Sequence, residues 1–469
     1  MAALTSPPLQ LTSHPIQRTG AWAVAVLANR PHPTQVTSDD LTRVRDRIVI
    51  DLQRAAHASD QDSIYSWWKV LFALYPNSPA THAQRKKWSD LDEQIAALLA
   101  EGTPHPTDLC VFCDSPASVR WAKDRLPMFD TAKARNTLPP GTGGWPVCWG
   151  CRVAIWAVPY GAAVTLGSAT VITAGSERVE RQFVRRNVQR AKQLIATGSM
   201  DRFQASPERV VVQILRTFDL RTPVTLWTFK NDNQEPWLTV QESRSRLAVF
   251  LNSLPKYPAA VHGWATLCRL LERRDRSGAV TEYGVDQVAR TLFEPSGRPR
   301  ALLLEKVFRL VEDRIDHLTP RAYQALVALA RHYAEEMLEM NLTELEPVAE
   351  LLARWIASGN PRGRFNEYVK VARRPGALGG LLMQAQARLF LDQGPDDPPL
   401  PMRAADAQRI LAAGPDGAHR RMLLFFTVVD KLVAQKIVIG ADQQAEDVEE
   451  QPIEESLRRG EDADYEEND

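Results

Sequence analysis

The chain lacks the short catalytic signatures that a sequence can display. It has no HExxH, no Walker loop and no GxSxG. None of its nine histidines is followed by aspartate, so there is no HD metal-nuclease dyad. Aspartate and glutamate are plentiful, but no motif groups them. These absences nominate no catalytic residue, and the expectation is a protein that is not an enzyme. The opening MAALTSPPLQLTSHP has no basic n-region and no apolar run, so no signal peptide is expected and the cytoplasm is the expected location. One uncharged stretch, Val153 to Ser176, is 24 residues long. Pro159, Gly161, Gly167 and Gly175 interrupt it. We expect a helix through Ala157, a turn at Pro159-Tyr160-Gly161 and β structure over 162–173, not a membrane span.

Cysteine is scarce, at five in 469 residues, and what there is is patterned. Cys110 and Cys113 form one CxxC, Cys148 and Cys151 another, and 34 residues separate the pairs. Each pair can grip one metal from a tight turn, and two pairs complete a tetrahedral thiolate shell. That spacing predicts a structural Zn2+ site. A closed shell has no open position for substrate, so the site reads as a scaffold. With zinc and no secretion signal, the cysteines are expected to be reduced.

Net charge is also missing, with 57 basic and 57 acidic residues, but the balance conceals an asymmetry. Residues 440–469 hold 13 acidic and two basic residues, a net of −11, which leaves +11 on the rest. A basic body suits a polyanionic partner. The acidic end has few apolar residues and is expected to be a disordered tail over 441–469.

The fold class expected is α+β. A mixed α/β domain over 1–255 carries an inserted four-cysteine zinc module at 105–175, and an all-α helical bundle follows over 256–440. In the first domain, turn signals surround a short apolar run, Trp22–Ala28. Leu41, Val44, Ile48 and Leu52 fall on one face of a helix beginning near Asp39-Asp40. A second helix is expected at 63–74 and a strand at 226–229. In the bundle, helices are expected at 260–273, 285–292, 301–316, 320–339, 343–357, 378–391, 404–412 and 418–438.

A basic helix is expected over 176–196. Arg178, Arg181, Arg185 and Lys192 lie near one face, flanked by Arg186 and Arg190. Its acidic residues are Glu177 and Glu180. Such a row is either a solvated face or a phosphate-backbone contact. The strand at 226–229 ends in Lys230-Asn231-Asp232-Asn233-Gln234. Asn231, Asn233 and Gln234 are candidates for reading base edges, or simply for stabilising a turn.

Several segments together resemble the large subunit of the type I-B CRISPR Cascade. Ser13-His14-Pro15-Ile16-Gln17-Arg18-Thr19-Gly20, an apolar stretch and Asp39-Asp40-Leu41 resemble the family opening, GHPFVDAG followed by EDL. Tyr75-Pro76-Asn77-Ser78-Pro79 resembles its YPNS segment. Gly144–Cys151 and Ala157-Val158-Pro159-Tyr160-Gly161 resemble its second CxxC and the ALPLG that follows. Phe229-Lys230-Asn231-Asp232-Asn233-Gln234 resembles its FTNSGQ loop. The resemblance covers about residues 10 to 255. It departs from the family where Gln17-Arg18 replace Val-Asp and where Asn233 replaces Gly. It implies a non-catalytic subunit of an RNA-guided surveillance complex. The implied partners are crRNA at its 5′ end, double-stranded target DNA read at the protospacer-adjacent motif, and the backbone, crRNA-processing and small Cascade subunits. A recruited helicase–nuclease, or a transposition protein in a CRISPR-associated transposon, is implied as well. Two alternatives stand beside it. One is a zinc-ribbon nucleic-acid-binding protein of transcription or RNA processing. The other is an unrecognised metal-dependent nuclease.

Overall fold

The computed structural model describes residues 8–121, 143–165, 167–199, 205–231, 236–297, 300–314, 318–392 and 402–437. The acidic tail expected at 441–469 lies outside them. The fold is mixed α+β, with two units that are described separately below. The first comprises residues up to 214 together with 222–242, and the second comprises 215–221 and everything from 243 onward. The boundary expected at 255 falls inside a 3-10 turn, Leu254–Lys256, of the second unit.

In the first unit four helices precede the cysteine region: α1 (Pro15–Leu27), α2 (Ser38–His57), α3 (Tyr65–Leu74) and α4 (Leu91–Leu98). Helix α2 starts as its sequence predicts. Thr37 and Asp40 form a reciprocal capping box. Leu41, Val44, Ile48 and Leu52 are all buried. Helix α1 differs from the expectation of turns around an apolar run. Pro15 sits in its first turn, where a missing N–H costs nothing. Nine of its residues, Ile16, Gln17 and Thr19–Ala25, are buried on all sides. A helix enclosed all round carries no amphipathic stripe, so periodicity could not reveal it.

The cysteine region forms two small antiparallel pairs: β1 (His105–Leu109) with β2 (Pro116–Ala117), and β3 (Val119–Trp121) with β4 (Trp145–Val147). Helix α5 (Trp149–Gly161) follows and is buried from Gly150 to Gly161. The turn expected at Pro159-Tyr160-Gly161 is helix instead. Pro159 cannot donate to the carbonyl of Ile155, and the hydroxyl of Tyr75 donates to that carbonyl at 2.5 Å. The helix therefore runs through its proline. Strands β5 (Ala163–Thr165) and β6 (Ser168–Ala174), helices α6 (Glu177–Thr197) and α7 (Pro207–Thr217), and strands β7 (Val224–Lys230) and β8 (Trp237–Ser243) complete the unit. The strands β5-β6-β7-β8 pair in that order, all antiparallel; Val171 faces Trp227 and Lys230 faces Trp237.

Helix α5 is the axis of this unit. Gly20 of α1 approaches it so closely that a Cβ there would lie 1.8 Å from the carbonyl oxygen of Ala154. Tyr75 stacks on Trp156 at 4.1 Å between centroids. Tyr160 donates to the buried Asp51 of α2 at 2.9 Å. Asn187 of α6 donates to the carbonyl of Gly161 at 3.1 Å.

The second unit is mainly helical. Its helices are α8 (Leu247–Ser253), α9 (Pro258–Leu271), α10 (Gly284–Arg290), α11 (Leu302–Arg314), α12 (Pro320–Leu338), α13 (Glu346–Ala357), α14 (Pro361–Val371), α15 (Pro375–Asp392), α16 (Ala404–Leu411) and α17 (Pro415–Ala434). Every expected bundle helix has a counterpart. Two differences stand out. Helix α14 was not expected, because only Phe365 and Tyr368 mark its buried face. The unit is also not purely helical, since strands Arg273–Arg274 and Val280–Glu282 form a short hairpin.

Candidate metal centre

The four paired cysteines converge. One sulfur from each of Cys110, Cys113, Cys148 and Cys151 lies within 4.8 Å of all the others. Cys113 and Cys148 are 3.5 Å apart, and Cys113 and Cys151 3.6 Å. A tetrahedron of thiolates at a metal–sulfur distance of about 2.3 Å has edges of about 3.8 Å. The donor set therefore fits a tetrahedral ion of the zinc type.

Local structure explains the convergence. The first pair sits on a turn in which Asp114 N–H donates to the Cys110 carbonyl at 3.0 Å. Asp114 adopts a left-handed backbone, φ 59°, a conformation in which Asp is tolerated. The second pair opens α5. Cys148 is its N-cap, and its sulfur accepts from the N–H of Cys151 at 3.5 Å. The N–H of Val111 donates to the carbonyl of Pro146 at 3.0 Å and fastens the two pairs together.

The four sulfurs perturb one another. Contacts from Cys113, Cys148 and Cys151 pull the Cys110 thiol down. Contacts from Cys110, Cys113 and Cys148 push the Cys151 thiol up. Four clustered sulfurs cannot all ionise against one another, and a divalent ion removes that conflict.

Two neighbours escaped the sequence reading. Gln17 of α1 is fully buried, and its Nε2 lies 3.6 Å from the sulfur of Cys151. The same nitrogen donates to the Gln10 carbonyl at 2.7 Å, and Thr12 holds the Gln17 carbonyl oxygen through its N–H and hydroxyl. Gln17 is one of the two departures from the resemblance motif, and that was the available signal. Arg152, next to Cys151, is also buried. It donates to the carbonyls of Leu98, Ala100 and Glu101 and to the hydroxyl of Ser118. Burial pulls its pKa down to about 10, opposed by the sulfur of Cys148. Its charge is felt by Cys148 and would offset part of the negative charge of four thiolates around a divalent ion.

The basic helix is α6. Val179, Phe183, Val184, Val188, Leu194 and Ile195 face the core. Arg178 and Lys192 are exposed, and Arg181, Arg185, Arg186 and Arg190 are half-buried. Arg186 donates to Gln213 of α7 at 2.8 Å, and Arg190 lines a small cavity with Trp67 and Val70 of α3. Glu180 turns inward, where Arg18 grips both its oxygens at 2.8 Å and the indole N–H of Trp22 donates at 3.0 Å. Glu177 pairs with Arg18 at 3.6 Å and with His32 at 3.2 Å.

Asn231 directly follows β7 and donates to the carbonyl of Leu74 at 2.6 Å, so its amide nitrogen ties the strand end to α3. Asn233 and Gln234 lie outside the described residues, as does most of the segment between the cysteine pairs. Among the described residues, no helix is long and apolar enough to cross a membrane.

No family profile, curated protein or solved structure matches this chain.

Proposed function

We propose that this chain is the large subunit of a type I-B Cascade-like, RNA-guided surveillance complex in the cytoplasm. On this reading it is not an enzyme. It holds the crRNA 5′ end, reads the protospacer-adjacent motif in duplex DNA and recruits a helicase–nuclease or a transposition protein. A structural zinc at Cys110, Cys113, Cys148 and Cys151 fixes its N-terminal domain.

The observation that carries this reading is the spatial convergence of segments far apart in the chain. The described parts of the motifs that resemble the family pack on α5 or on the elements beside it. Gln17 comes from the first motif and reaches Cys151 in the third. Tyr75 of the second stacks on Trp156 and serves Ile155. Asn231 of the fourth reaches Leu74, next to Tyr75. Segments that assemble one site are the segments a family signature would preserve.

In mechanism, the zinc when bound supplies no chemistry beyond cross-linking two turns. The protein's own residues do the rest. Arg178, Arg181, Arg185 and Lys192 on α6 present charge to phosphates, which positions nucleic acid without reading it. Guide–target pairing reads the sequence. Asn231, Asn233 and Gln234 are the residues proposed to meet the duplex.

The test is to purify the chain with its native partners and sequence the bound RNA. A uniform repeat-derived 5′ handle is expected. RNA of mixed origin, or none, rejects the guide-dependent reading and favours a zinc-ribbon nucleic-acid-binding protein.

A further inference from the structure

Helix α3 has two apolar faces. One is in the core, where Trp67, Val70, Leu71 and Leu74 are buried. The other is only partly covered: Trp68 packs against the edge of the core, and Phe72 beyond it is exposed. Tyr65, Trp68 and Phe72 recur at i, i+3 and i+7 and form a continuous ladder. Tyr65 stacks on Trp68 at 5.1 Å with an interplanar angle of 6°, and Trp68 on Phe72 at 5.2 Å with 26°. Phe72 is 45% exposed, and Tyr65 and Trp68 are half-buried. An outward helix face normally carries polar side chains, so an aromatic one indicates a ligand.

The surrounding charge identifies the ligand. Lys69 lies over the Tyr65 ring at 5.2 Å, and the Arg85 guanidinium lies over Trp68 at 4.5 Å. Arg85 is nearly buried, yet among the described residues its hydrogen bonds go only to the carbonyls of Ala56 and His82. Lys86 and Lys87 follow it and are exposed. None of these four cations forms an ion pair with a carboxylate among the described residues. Asp62, the acid that Lys86 influences, is held by the N–H and hydroxyl of Ser59.

We propose that the outer face of α3 binds single-stranded nucleic acid. A base stacks on the exposed ring of Phe72 at the end of the Tyr65–Trp68–Phe72 ladder, and phosphates pair with Lys69, Lys86 and Lys87. Stacking is indifferent to sequence because every base has a π-face, and the cations track the backbone. A duplex keeps its bases stacked on one another and offers none to the ladder. A neutral protein partner would leave the unpaired cations without a counterpart. The surface needs no guide RNA, so it stands or falls separately from the RNA-sequencing result.

The test uses the full chain and fluorescence anisotropy with three probes: a short oligothymidine, an abasic strand of the same length, and a duplex. Phe72→Ala should weaken oligothymidine binding about tenfold and leave the abasic strand and duplex unchanged. Phe72→Tyr, which keeps the ring, should retain wild-type affinity. The double variant Lys86→Ala/Lys87→Ala should weaken binding of all three probes and lower the salt slope by about two. Phe72 is exposed enough that melting temperature should be unaffected, which guards against misfolding. The proposal is overturned if Phe72→Ala leaves oligothymidine affinity intact, or if it weakens the abasic strand equally. It is also overturned if that variant loses a co-purifying protein while its single-strand affinity stays the same, which would make α3 a protein-docking face.

Discussion

The phenol of Tyr75 donates to the carbonyl of Ile155, the acceptor that Pro159 leaves without a helical donor. The two residues are 80 positions apart in sequence. The pair explains how a proline is tolerated inside a helix buried almost throughout. The freed carbonyl is served from another segment, whose ring then stacks on the next residue, Trp156.

This pairing predicts a specific non-additivity. Tyr75→Phe leaves a buried carbonyl unsatisfied and should cost about 1–3 kcal/mol in chemical denaturation. Pro159→Ala returns an N–H to the helix. In that background Tyr75→Phe should cost much less. Equal costs in the two backgrounds would show that the hydroxyl serves some other purpose.

The metal centre should hold about one zinc per chain, as read by elemental analysis. Cys148→Ser should abolish it and lower the melting temperature, because metal affinity here is also folding free energy. Carefully purified protein without zinc refutes the assignment.

Gln17→Leu removes the amide that faces the sulfur of Cys151 while keeping a similar bulk. Outer contacts of this kind commonly alter metal affinity by about ten- to a hundredfold. Competition against a chromophoric chelator should show that loss. A variant that holds metal as wild type does would reduce Gln17 to an anchor for residues 10–12.

On α6, Arg181→Ala together with Arg185→Ala should weaken nucleic-acid binding and lower the salt slope by about two, with zinc content unchanged. If the slope stays put, these side chains belong to a surface that does not touch phosphate.

His332 supplies a pH test in the second unit. Burial lowers its pKa, although Glu336 opposes this, and its ring is hydrogen-bonded to the hydroxyl of Ser253 at 2.9 Å. The unfolded chain takes up a proton near pH of about 6.5 while the folded chain resists. Stability from this group is thus complete above that value and declines as the pH falls below it. His419 acts in the same direction. Denaturation midpoints should fall on acidification, and His332→Gln should make the fall shallower.

Legibility followed the range of the interaction. The four cysteines were readable because each pair makes its own local turn, and α2 was readable because Leu41, Val44, Ile48 and Leu52 mark a single stripe. Helix α1 was not, since burial on every side erases the stripe. Helix α14 was missed for the opposite reason, with only Phe365 and Tyr368 to mark it. The contacts of Gln17, Arg152 and Tyr75 reach 134, 54 and 80 residues along the chain, a range at which no spacing rule operates.

The central place of α5 bears on how the chain is made. Everything upstream of Cys148 leaves the ribosome before the helix that will cover it. Until then the side of α1 that packs on α5, where Gly20 meets Ala154, stays exposed, and Arg152 is not yet there to bind the carbonyls of Leu98, Ala100 and Glu101. A nascent chain stalled in that interval is a substrate for chaperones or for aggregation. Expression fragments that end before residue 161 should be insoluble for the same reason, whatever buffer or metal is supplied.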